Sequence, residues 1–131
     1  MDYLIDSSVL VNSIIGSEDR KAKALAIISD ANHNLYISNL TMVEVYNALR
    51  YEIADVQFVV RAIKIIEKLK ISTLVLDKIA LDSALRISID VNDTVYDASY
   101  HSLALIHDLT FVTFDGRYYQ KAKHLGNIKL V

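Results

Sequence analysis

The chain has 131 residues, 53% of them hydrophobic and 23% charged, with 16 acidic against 14 basic side chains and a formal charge of -2. This fits one compact domain, residues 1–131, burying roughly two-thirds of its unfolded surface; it excludes the overall basic field that announces a nucleic-acid partner and leaves a local patch open. The lack of cysteine excludes disulfides, thiolate metal sites and thiol nucleophiles, and suits a reducing cytoplasm.

Asp2 stands where a signal peptide carries positive charge, and no apolar run reaches the roughly 20 residues needed to cross a bilayer. The expectation is a soluble, cytoplasmic protein with no membrane span. Proline is absent and glycine is limited to Gly16, Gly116 and Gly126, so loops should be short, with no flexible linker.

In chain order, Tyr3-Leu4-Ile5 is a short buried strand that breaks into Asp6-Ser7-Ser8. Val9 to Ile15 continues as an apolar helix, closed by Gly16 in a left-handed conformation. Asp19 to Ala31 places Ala22, Leu25, Ala26 and Ile28 on one helical face and Arg20, Lys21 and Lys23 on the other. Leu35 to Ser38 is a strand. The next helix opens at Thr41 with Met42, Val45, Tyr46, Leu49 and Ile53 inward, while Glu44 and Asn47 lie off that stripe. A helix over about Asp55 to Leu69 buries Val59, Ala62, Ile66 and Leu69, and the strand Thr73 to Leu76 follows. Asp77 or Lys78 starts a helix to about Val91. The turn Asn92-Asp93-Thr94 precedes a helix from Val95 to His107, then the strand Thr110 to Phe114. Asp115 ends that strand, and a helix from Gly116 to Leu125 turns at Gly126-Asn127 into a strand over Ile128 to Val131.

Apolar strands without polar alternation, separated by amphipathic helices, define an α/β fold, a three-layer α/β/α arrangement with a parallel sheet covered on both faces. Ligands of such sheets bind beyond the carboxyl ends of the strands. Asp6 and Asp115 each follow directly on a buried strand and so reach that edge. Glu44 lies in the first turn of a helix leaving the same edge. The helix of Asp97 runs opposite to the strand after it, which turns its first turn back to the same rim.

Each acid has an ordinary structural reading as well. Asp6 or Ser7 can N-cap the following helix. Thr41-x-x-Glu44 and Thr94-x-x-Asp97 have capping-box spacing, and Asp115 before Gly116 suits a turn. Four acids on one rim are more than capping requires, since two carboxylates about 5 Å apart repel by roughly 3 kcal/mol at an effective dielectric near 20. They share protons or bind a hard divalent cation, and all-oxygen ligation suits Mg²⁺ or Mn²⁺.

Asp6-Ser7-Ser8, Thr41-Met42-Val43-Glu44-Val45, Tyr96-Asp97-Ala98-Ser99-Tyr100 and Val112-Thr113-Phe114-Asp115, in this order and in these contexts, resemble the four motifs of the PIN-domain ribonucleases. Specifically, the chain resembles the small VapC toxins of toxin–antitoxin systems. The resemblance implies a five-stranded parallel sheet in the order 3-2-1-4-5. It also implies Mg²⁺-dependent endoribonuclease activity, a small antitoxin partner, a homodimer, and catalytic, metal-holding Asp6, Glu44, Asp97 and Asp115. Ser8 and Thr113 are candidates to orient Asp6 and Asp115 by hydroxyl hydrogen bonds. Asn12 and Asn47 are further polar residues that could face the site.

Arg50, Arg117, Lys121 and Lys123 lie near the acidic motifs as RNA contacts, with Tyr118 or Tyr119 available for stacking. Asp93 is the alternative to Asp97 if the helix starts earlier; the Thr94 cap favours Asp97. His101, four residues after Asp97, reads as its helix-face partner, and His33, His107 and His124 show no ligand spacing. Two other functions fit the same features: a housekeeping RNA-processing PIN nuclease and a noncatalytic PIN-fold binding module. A phosphatase-like domain lacks its second aspartate here, and a receiver lacks its ordered acid pair and lysine.

Overall fold

The computed structural model describes residues 1–131. Its elements are β1 (Asp2–Ile5), α1 (Ser7–Ile15), α2 (Glu18–Ile28), β2 (Asn34–Ser38), α3 (Thr41–Glu52), α4 (Val56–Glu67), β3 (Ile71–Leu74), α5 (Lys78–Val91), α6 (Val95–His107), β4 (Thr110–Thr113), α7 (Gly116–Ala122), a 3₁₀ turn (Lys123–Leu125) and β5 (Ile128–Leu130). The five strands form one sheet in the order β3-β2-β1-β4-β5, and every neighbouring pair is parallel. The fold is the expected α/β arrangement with the expected strand order.

Alternation along β1 builds the two halves of the core. Tyr3 and Ile5 enter one cluster with residues of α1 to α4, including Leu10, Ile27, Leu49 and Ile63. Leu4 faces the other side, where Phe111 of β4 meets Ala84 of α5, Leu103 of α6 and Tyr118 of α7. Both halves therefore clamp the strand that ends at Asp6. Side-chain oxygens start most helices: Asp6, Ser17, Asp55, Asp77, Thr94 and Asp115 each accept a backbone amide of the helix that follows.

Several local expectations change. Gly16 has φ -65°, not a left-handed value; a Cβ there would stand 2.5 Å from the Asn12 carbonyl oxygen, so close approach is what requires glycine. Left-handed residues instead end α5 at Asn92 and α6 at Asp108. The buried face of α2 is Ala24 and Ile27, whereas Ala22 and Ala26 are exposed and Leu25 is 44% exposed. The third strand is shifted two residues earlier, to Ile71–Leu74, because its pairing with Leu35 to Ser38 stops at Leu74. The last helix gives way to the 3₁₀ turn after Ala122. No helix is long and apolar enough to cross a membrane.

Candidate metal and nucleic-acid site

The connections reverse direction across the sheet between β1 and β4, opening the crevice where doubly wound sheets place ligands. Ile5 pairs with Val112, so the next residues, Asp6 and Thr113, meet at the rim. Two relays run from the start of the β4–α7 turn onto Asp6. The Asp115 amide donates to Thr113 Oγ1 at 3.0 Å, and that hydroxyl donates to Asp6 Oδ2 at 2.6 Å. The Phe114 amide donates to Ser8 Oγ at 3.1 Å, and the Ser8 hydroxyl donates to Asp6 Oδ1, which also accepts the Ser8 amide at 3.0 Å. Asp6 is thus both the N-cap of α1 and an oriented, buried carboxyl, 9% exposed; the cap belongs to Asp6, not Ser7. Burial raises its pKa to about 6 against the lowering effect of the Ser8 and Thr113 bonds.

Glu44 occupies the first turn of α3 without forming a capping box. Leu40 is the N-cap residue, with no side-chain bond, and Thr41 Oγ1 turns back to accept the Ser38 amide at 3.0 Å. Glu44 Oε1 instead accepts the hydroxyl of Tyr100, from α6. The Tyr100 ring is buried and stacks on Phe111 at 5.6 Å, and burial followed by the Glu44 bond raises its phenol well above the usual range. Nothing in the spacing of residues 44 and 100 reveals this pair, although Tyr100 stands inside the third motif.

Thr94 caps α6 by accepting the Asp97 amide at 3.1 Å, which fixes the helix start and leaves Asp97 in its first turn. Burial, then a hydrogen bond with Asp93 and the charges of Asp93 and Asp115, raise Asp97 to about 7. Burial also pushes Asp93 upward, but the Thr94 amide, Asp97, Arg117 and Lys121 outweigh it and hold Asp93 below its ordinary value. Asp115 caps α7 through Oδ1, which accepts the Tyr118 amide at 2.9 Å.

Besides burial, Asp6 and Glu44 both raise Tyr100, and Asp93, Asp97 and Asp115 all raise Tyr118. No three Asp, Glu or His side chains close on a point that holds one ion. The donor set nonetheless fits a hard cation. It is all oxygen, Glu44 and Asp115 spend one carboxylate oxygen each on a protein bond, and Asp6 and Asp97 carry negative charge at a cost that a cation would offset.

The basic residues are partly engaged. Arg117 Nη2 and Lys121 Nζ each lie 3.5 Å from Asp93 Oδ2. Lys123 donates to Gln120 and lies 6.0 Å from the Tyr119 ring centre. Arg50, at the far end of α3 from Glu44, covers its neighbour Tyr51 at 4.7 Å. Tyr118 is buried and cannot stack on a base. His101 does not pair with Asp97: its Nε2 meets the Gly126 carbonyl at 2.7 Å and its Nδ1 meets the Tyr118 hydroxyl at 3.0 Å. Since the carbonyl only accepts, Nε2 carries the proton and the Tyr118 hydroxyl donates to Nδ1. Burial holds this imidazole neutral by lowering its pKa. Asn12 is tied to the Ser8 carbonyl at 2.8 Å, and Asn47 is exposed.

A parallel five-stranded sheet with four acids at its carboxyl rim defines a class of α/β proteins built to gather carboxylates at a switch point. The sequence pattern of the PIN domain matches residues 3–124, and the chain belongs to the PIN-domain family. Among solved structures it is similar to PAE2754 from Pyrobaculum aerophilum, at 29% identity and TM-score 0.67 over 94% of this chain and 86% of that one. VapC20 of Mycobacterium tuberculosis, described as a sarcin-ricin loop cleaving toxin, aligns at 14% identity and TM-score 0.74, covering 90% and 93%. VapBC2 from Rickettsia felis, bound to a DNA fragment from its promoter, aligns at 15% and 0.72, covering 100% and 98%. Comparison with curated proteins finds no match.

Proposed function

We propose that the protein is a Mg²⁺- or Mn²⁺-dependent endoribonuclease that hydrolyses RNA phosphodiester bonds in the cytoplasm, as the toxin of a toxin–antitoxin pair. The carrying observation is Asp6, a buried carboxyl oriented by two hydroxyls at the switch point, with Glu44, Asp97 and Asp115 delivered to the same rim from three other elements. The PIN-domain match and the fold shared with a sarcin-ricin loop cleaving toxin support this reading.

Asp6 and Asp115 are the central residues that hold the cation, completed by Glu44 and Asp97. When bound, the cation supplies Lewis acidity toward the phosphodiester and acidifies water at neutral pH. Ser8 and Thr113 hold both oxygens of Asp6 in place, and Tyr100 holds one oxygen of Glu44. Asp97 must give up its proton to serve, which its raised pKa places near neutrality. Arg50, Arg117, Lys121 and Lys123 contact the RNA backbone.

The partners follow from two surfaces. An apolar groove of about 500 Å³ between α1, α2 and α4 is lined by Ile14, Leu25, Phe58 and Ile65, with Arg61 its one charged residue. It suits an apolar antitoxin helix carrying an acid. The outward face of α5 exposes Ile79, Leu85 and Ile89 beside Lys78, Asp82, Arg86 and Asp90. The proposed homodimer uses this face: antiparallel pairing with a second copy would set Lys78, which bonds Asp82 at 2.7 Å within its own helix, against Asp90 and Asp82 against Arg86; a monomer at micromolar concentration in light scattering would refute it. The test of the activity is RNA cleavage that requires Mg²⁺ or Mn²⁺. Cleavage that persists in excess EDTA overturns the proposal.

A further inference from the structure

Asp93, in the turn between α5 and α6, is a fifth acid that the proposed metal set leaves unused. Its side chain is 0% exposed, yet charge surrounds it. Oδ1 accepts the Thr94 amide at 2.7 Å, while Oδ2 lies 3.5 Å from both Arg117 Nη2 and Lys121 Nζ. Lys121 is held further by the Asn92 carbonyl at 2.8 Å, and Ser88 donates its hydroxyl to the Asp93 carbonyl.

The two cations stand one turn apart on α7, the helix capped by Asp115. Thr94, next to Asp93, caps the helix that carries Asp97. Their bonds to Asp93 therefore hold Arg117 and Lys121 at the junction of the two elements that carry Asp97 and Asp115, carboxylates assigned to a divalent cation. A side-chain cation resting on those carboxylates would neutralise them and compete with the metal.

On the metal-nuclease reading, we infer that Asp93 is a positioning residue that sequesters Arg117 and Lys121, keeping them off Asp97 and Asp115 so that these acids stay open to a divalent cation. A turn-stabilising role alone needs only Oδ1 and the Thr94 amide. Sequestration needs the charge.

Asp93→Asn keeps an acceptor for the Thr94 amide and removes the charge, so it separates the two roles. Mn²⁺ binding to the full chain, read from the electron paramagnetic resonance signal of free Mn²⁺ at pH 8, should weaken about 10-fold or more in this variant. Adding Arg117→Met and Lys121→Met to it should restore most of the lost affinity, because no cation remains to compete. Unchanged binding in Asp93→Asn, or a triple variant no better than the single, overturns the inference. If Asp93→Asn does not fold, the Arg117→Met/Lys121→Met double variant decides: binding at least as tight as wild type supports sequestration, and weaker binding refutes it. A wild type that binds no Mn²⁺ removes the metal-nuclease reading itself, whereas normal wild-type binding with an indifferent Asp93→Asn removes this inference alone.

Discussion

Thr113 donates its hydroxyl to Asp6 Oδ2 at 2.6 Å, joining residues 107 positions apart at the ends of two adjacent strands. The same hydroxyl oxygen accepts the Asp115 amide at 3.0 Å, so one side chain fixes both a buried acid and the entry to the helix that another acid caps. Register explains the contact, since Ile5 and Val112 are paired and the following residues fall side by side.

Thr113→Val keeps the shape and removes both bonds. It should cost about 1–3 kcal/mol in urea unfolding and weaken Mn²⁺ binding about 10–100-fold, while Thr113→Ser stays close to wild type. Wild-type Mn²⁺ affinity in the valine variant would show that the hydroxyl does not orient the site.

The raised carboxyl of Asp6 gives stability a pH dependence of definite sign. Its folded pKa, about 6, lies above the ordinary 3.8, so its contribution is full below 3.8 and is lost as pH rises through about 6. His101, whose pKa is lowered, acts in the opposite direction at mildly acid pH, so a comparison with Asp6→Asn isolates the aspartate. In EDTA, the stability of Asp6→Asn relative to wild type should rise by about 2 kcal/mol between pH 4.5 and pH 8. A difference that stays constant across this range in urea unfolding contradicts the burial argument.

Asp115 caps α7 through Oδ1, with the Tyr118 amide 2.9 Å away. Asparagine can make the same bond without adding to the charge around Asp97. Metal-free Asp115→Asn should therefore melt at or above the wild-type temperature, and Asp115→Ala should lose about 1 kcal/mol. An asparagine variant that loses several kcal/mol would make the charge of Asp115 structural.

The elements around β1 and β4 were legible because their signals are local: a fully apolar strand, then an acid followed by a helical period. The rim positions of Asp6, Glu44, Asp97 and Asp115 followed from those elements and the direction of each chain segment. The inward face of α2 is not legible because alanines at 22, 24 and 26 give the stripe no sharp edge, and the largest residue near it, Leu25, lines the groove beside α4. The bounds of the third strand are not legible because Val75 looks like a core residue but is 65% exposed at the edge of the sheet. Contacts such as Tyr100 with Glu44 and Lys121 with Asp93 join residues 56 and 28 positions apart. No local pattern encodes such pairs; they exist only once the sheet order has brought the helices together.

The proposed activity is cutting of RNA by carboxylates at this rim through a divalent cation. Its most direct test is end-mapped cleavage of a panel of cellular RNAs by the wild type and by Asp6→Asn, each in Mg²⁺, in EDTA, and after Mg²⁺ is restored. Defined cuts by the wild type that vanish in EDTA, return with Mg²⁺, and never appear with a folded Asp6→Asn are the expected result. Equal cleavage by the two proteins, or cutting that ignores EDTA, would contradict it.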